Sequence, residues 1–238
     1  MTKLVPASDV RPAEWVITGL RGFAESVQSY VPMGFPRYAR VFHPAYLRGE
    51  PVRWADIGSA NGKVAHVGMQ LDALTGSADS YNIAPQPGLF DYAPRDGTLP
   101  INLVRSLLPV LARHTTAPAT CWFAAWDGWG GLRRDLATAP KFDLPGRSYH
   151  LLAGPIEAAA ESVDDVVVDP SLAFLSEFAF QSASLWWWPD DHAWCVATEI
   201  DFVTTYIGCD ERCSDEILRL GDVESFEVDP AARGPESW

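Results

Sequence analysis

The 238-residue sequence has no uninterrupted apolar run near the roughly 20 residues of a membrane-spanning helix. Its first stretch, MTKLVPASDVRPAEW, lacks the continuous apolar segment of a signal peptide. The expected location is therefore the cytoplasm, without a membrane partner. Basic residues are scarce. Eighteen Lys and Arg stand against 31 Asp and Glu, for a net charge of −13. Phosphate backbones are bound by clustered Lys and Arg, so nucleic acid is not an expected partner. Cysteine is sparse too. Cys121, Cys195, Cys209 and Cys213 are expected as reduced thiols in a cytoplasmic protein.

The usual chemistry-bearing motifs are also missing. There is no Gly-x-x-x-x-Gly-Lys-Ser/Thr phosphate loop, and neither Ser59 nor Ser148 sits in a nucleophile elbow. Structural zinc wants four ligands, usually as two close pairs. Cys209 and Cys213 make one pair, but His43, His66, His114, His150 and His192 are scattered. No metal and no cofactor are expected. One glycine-rich stretch, Asp56 to Gly62 (DIGSANG), looks like the cofactor loop of S-adenosylmethionine-dependent methyltransferases. That loop needs a buried apolar strand before it, and Glu50 to Trp54 does not supply one. The plainer reading is a helix reaching Gly58 and a turn at Asn61-Gly62.

Aromatic residues are abundant: ten Trp, eleven Phe and seven Tyr. Such a load fills a core or faces a partner. The densest stretch is Ser184 to Gly208, SLWWWPDDHAWCVATEIDFVTTYIG. Its β-branched and aromatic residues suit strands, and Pro189-Asp190-Asp191-His192 is turn chemistry. Leu175 to Trp188 and Trp194 to Ile207 are expected as neighbouring antiparallel strands. Further strands are expected at residues 37–46, 120–126 and 148–153. Helices are expected at residues 12–30, at 99–114 with Thr98 as a cap, after Pro155, and at 214–220 with Ser214 as a cap. The expected architecture is a single domain over residues 1–238. Its class is α+β, a mixed or mostly antiparallel sheet with helices packed on one side.

Glu199 and Asp201, two apart on the expected strand, would project from one face. Two such carboxylates suit acid–base hydrolysis of a sugar-like small molecule. Trp126, Trp129, Trp186, Trp187 and Trp188 would be the walls, with Asp190 and Asp191 as further binding residues. The leading expectation is instead a non-enzymatic protein-binding role, since negative charge steers a basic partner, and hydrolysis is the alternative.

Several stretches carry a likeness: FPRYARVFHPAY (35–46), GTLPINLVRSLLPVLARHT (97–115), TCWFAAWDGWGGL (120–132), GRSYHLLAGPIEAA (146–159) and the WWWPDDHAWCVATEIDFVTTYIG segment. In this order they resemble an uncharacterised family of actinobacterial cytoplasmic proteins. The resemblance covers most of the chain and implies one continuous domain, and it brings no activity and no catalytic residue. A looser likeness to acidic immunity proteins of bacterial toxin systems rests on charge and aromatic content.

Overall fold

The computed structural model describes residues 4–22, 25–79, 82–128, 132–161 and 186–233. Its strands are β1 (Val5–Pro6), β2 (Arg37–Phe42), β3 (Ala45–Leu47), β4 (Glu50–Val52), β5 (Cys121–Trp126), β6 (Lys141–Leu144), β7 (Arg147–Gly154), β8 (Trp186–Pro189), β9 (Cys195–Ala197), β10 (Thr204–Cys209) and β11 (Ser225–Glu227). Its helices are α1 (Glu14–Gly19), α2 (Trp54–Ala60), α3 (Leu71–Thr75), α4 (Ile101–Arg113) and α5 (Glu211–Leu218). Nine strands form one sheet in the order β1-β7-β5-β8-β9-β10-β2-β11, with β6 joining β7 beside β1. Every pairing among the described strands is antiparallel. The fold class is α+β.

Both faces of this sheet are buried, and the period-2 alternation of strand side chains decides what each face receives. Trp187 points to one face, where it stacks on Phe123 at 6.2 Å and meets the edge of Trp194 at 5.1 Å. Trp194 Nε1 donates to Leu111 O at 2.9 Å, which ties this layer to α4. Leu103, Val104 and Leu107 of α4 and Cys213 and Ile217 of α5 complete the cluster. Trp186 and Trp188 point to the opposite face. There they pack with Val16 of α1, Val27, Tyr30 and Tyr206. So α4 and α5 share one face, and the N-terminal segment, with α1, covers the other. A third cluster joins α2 and α3 to Phe42.

Several local expectations change. The expected helix at 12–30 stops at Gly19. Leu20 turns extended, and Gly22 takes φ +59. Phe23 lies outside the described residues. The helix expected at 99–114 begins at Ile101, with Pro100 in the capping position and no cap from Thr98. Asp210, not Ser214, caps α5, its Oδ1 accepting from Cys213 N at 2.7 Å. The run from Trp194 to Ile207 is two strands separated by a loop. Leu175 to Leu185 lie outside the described residues.

Asp56 to Ala60 are helical, inside α2, and Gly62 follows in a turn at φ +69. The amide of Ile57 is bonded to Arg53 O, and that of Asn61 to Ile57 O and Gly58 O. A helix in place of a loop removes the cradle a nucleotide would need. The start of α2 is held from far along the chain. Glu224, which is buried, accepts from Trp54 N at 2.6 Å and Ala55 N at 2.9 Å. Replacing Glu224 with alanine orphans both amides. The expected loss is about 2 kcal/mol, read from the denaturant midpoint.

Candidate functional site

The β6–β7 hairpin turns at Pro145-Gly146, where Gly146 adopts φ +82, a value that suits glycine. Arg147 opens β7 directly after the turn. The hairpin and the end of β5 border an open cleft of about 450 Å3, lined by Trp126, Asp127, Gly128, Asp143, Leu144, Gly146, Arg147 and Ser148. Asp127 N donates to Ser148 O at 2.9 Å and fixes the end of β5 to β7.

Arg147 is the hub. Its guanidinium carbon lies 5.5 Å from the Trp126 ring centroid, within cation–π range. Its Nη2 donates to Asp201 Oδ2 at 2.6 Å, and its Nε lies 2.7 Å from Glu199 Oε1. Glu199 is only 7% exposed. Burial pushes its carboxyl up from the ordinary range, while the Asp201 amide and Arg147 draw it back. The two acids do not share a strand face. They lie in the loop between β9 and β10, where Glu199 Oε2 accepts from Asp201 N at 2.8 Å and Glu199 O accepts from Phe202 N at 3.0 Å. This tight turn brings both carboxylates onto one guanidinium. The pair forms a salt-bridged clamp on Arg147.

Gly97 seats this loop. Its amide donates to Phe202 O at 2.9 Å, its φ is +65, and an added Cβ would lie 2.5 Å from Ile200 O. Next to it, Asp96 keeps part of its surface in water, yet its carboxyl rises from the ordinary 3.8 to about 6. Loss of hydration is the main cause, Asp201 adds repulsion, and Arg95 opposes both. A carboxyl raised in the folded state opposes folding above its folded pKa. That opposition fades as pH falls and vanishes below the unfolded value. Asp96→Asn is therefore expected to raise the melting temperature at pH 7.5 and to leave it unchanged near pH 4. An equal shift at both pH values would sever the link to this carboxyl.

On the other side of the cleft, Asp127 Oδ1 meets Lys141 Nζ and His150 Nε2, each at 2.8 Å. The Lys141 hydrogen bond is the main reason its carboxyl lies below the ordinary range. His150, almost fully buried, has the Ala139 carbonyl 3.2 Å from Nδ1. Asp143 is exposed and accepts from Ser148 Oγ.

No family model, curated protein or solved structure matches this chain.

The expected tryptophan walls separate. Trp126 lines the cleft, and Trp129 lies outside the described residues. Trp186, Trp187 and Trp188 are at most 3% exposed. They are sheet core, because β8 sits between β5 and β9 with both faces covered. Asp190 and Asp191 serve the turn. Asp190 Oδ1 accepts from Trp122 Nε1 at 2.9 Å. Asp191 accepts from Thr115 Oγ1 at 2.8 Å, Thr116 N at 2.6 Å and Thr116 Oγ1 at 2.7 Å. Burial alone would raise the Asp191 carboxyl, but these bonds from Thr116 and Thr115 bring it below the ordinary range.

Sequence reasoning passed over Arg147, Asp143, Asp127 and Asp96. The signal for the first two was the alternating KFDL followed by Pro-Gly, a hairpin pattern. Among the described residues, no three His, Cys, Asp or Glu gather as a metal site, and no helix is long and apolar enough to cross a membrane.

Proposed function

We propose that the protein is a non-enzymatic binding protein whose partner is a basic protein segment. A toxin or regulator is the sharper form of this reading. One observation carries it: an open cleft organised around carboxylates that outnumber the cations beside them. Asp127 and Asp143 line it together with Arg147. Lys141 pairs with Asp127, Glu199 and Asp201 bind Arg147, and Asp96 lies near Asp201 and Arg95. The rise of Asp96 partly reflects that negative field. The net charge of −13 extends the field outward, which speeds the approach of a cationic partner. The Arg147–Glu199–Asp201 clamp also supports binding over hydrolysis, since both acids are committed to a guanidinium.

The test is titration with an arginine-rich peptide by calorimetry at low and physiological salt. Affinity is expected to fall by about tenfold or more between about 20 and 150 mM salt. Asp143→Asn is expected to weaken binding by about threefold, and neutralising the remote Glu211 should have no such effect. Equal effects of the two variants would mean that the peptide reads bulk charge and not the cleft.

A further inference from the structure

A second pocket lies between the segment leading into β2 and the turn joining β8 to β9. It has a volume of about 320 Å3, and Trp15, Met33, Phe35, Pro36, His192 and Asp210 supply its side-chain chemistry. It shares no lining residue with the cleft at Arg147. The geometry points to a binding site for an alkylated ammonium head, either a free choline-like amine or an N-methylated lysine side chain.

The walls are aromatic. His192 stacks on Trp15 with centroids 4.3 Å apart and planes 19° off parallel, and Phe35 meets Trp15 edge-on at 6.2 Å. His192 holds φ +54, a conformation that side chains other than glycine rarely adopt. The turn enforces it. His192 N donates to Pro189 O at 2.9 Å, and Ala193 N donates to Asp191 Oδ1 at 3.2 Å. Strain retained in this way is a mark of functional positions. Here it lays an imidazole on an indole at a pocket mouth. Loss of hydration lowers the His192 pKa, against the pull of Asp190 and Asp191.

The pocket has one full charge, the Asp210 carboxylate. Its Oδ1 caps α5 and lies 3.7 Å from His114 Nδ1. Among the described residues, Oδ2 makes no hydrogen bond. Rings, a thioether and one carboxylate suit a cation that offers methyl groups in place of N–H donors. Such a head is held by ring faces and by an opposite charge, with little hydration to lose. A lysine ammonium has three N–H donors, and the side chains of these walls offer it one carboxylate.

The experiment is calorimetric titration of the full chain with choline, with a peptide carrying trimethyl-lysine, and with the neutral tert-butyl analogue of choline. At least one cation is expected to bind, and the neutral analogue should bind about tenfold more weakly or worse. Tighter binding of choline assigns the site to a free amine, and tighter binding of the peptide assigns it to a protein side chain. Asp210→Asn keeps a capping side chain and removes the charge. His192→Gly removes the ring and accepts the positive φ. Each variant should weaken binding by about fivefold without lowering the melting temperature. The inference is overturned if neither cation binds by about 10 mM, if the neutral analogue binds equally well, or if both variants bind like the parent protein.

Discussion

Replacing Arg147 with methionine is expected to remove about 3 kcal/mol of stability at neutral pH, because breaking a buried ion pair leaves an uncompensated charge. Glu199 is the charge left behind. It is 7% exposed, it already resists ionisation, and Asp201 repels it. Asp201 keeps half of its side chain in water and contributes less. The pH dependence follows from the same group. Without Arg147 the Glu199 carboxyl rises further, so the loss is full above its folded pKa and shrinks as acid protonates it. The double variant Arg147→Met, Glu199→Gln should recover more than half of the loss, since charge and counter-charge leave together. Denaturant unfolding at pH 7.5 and pH 5 reads both effects. A single variant as stable as the parent would mean that the clamp holds nothing.

Trp187→Ala is expected to cost about 4 kcal/mol, within the range for deleting a buried aromatic side chain. Trp187 is 1% exposed, lies between Phe123 and Trp194, and sits on a central strand opposite Phe123. No neighbouring side chain can fill the space without leaving its own position. Trp126→Ala should cost less, about 1 kcal/mol, because Trp126 is half-buried at the cleft and packs on Arg147. The contrast between the two variants, measured by thermal or denaturant unfolding, separates core tryptophans from cleft tryptophans. Comparable losses would contradict the assignment.

Sheet and helix classes were legible because local chemistry and tertiary packing agree on them. The leucine stripe of α4, the apolar run of β5 and the Pro-Asp-Asp turn all read directly from residue type. The Asn61-Gly62 turn and the helix before it were legible for the same reason. The site was harder to read, because its partners are far apart in the chain. Arg147 meets Glu199 and Asp201 across more than fifty residues, and no local pattern announces such a meeting. The loop that carries both acids also imitates a strand in its residue types. What breaks it is the Glu199 side chain bonding to the Asp201 amide, and residue propensities do not contain that contact. The tryptophan run left core and surface both open. Period-2 alternation places Trp186 and Trp188 opposite Trp187, but only the covering helices and the N-terminal segment show that both faces are interior.

The most direct measurement is a nuclear magnetic resonance titration of the labelled protein with an arginine-rich peptide, followed through indole and guanidinium N–H signals. The Trp126 indole, the Arg147 Nε–H and the amides of Asp127, Asp143 and Ser148 should shift together and saturate. The buried indoles of Trp186, Trp187 and Trp188 should stay in place. Small shifts spread evenly over the acidic surface, with Trp126 and Arg147 unmoved, would contradict a binding role for the cleft.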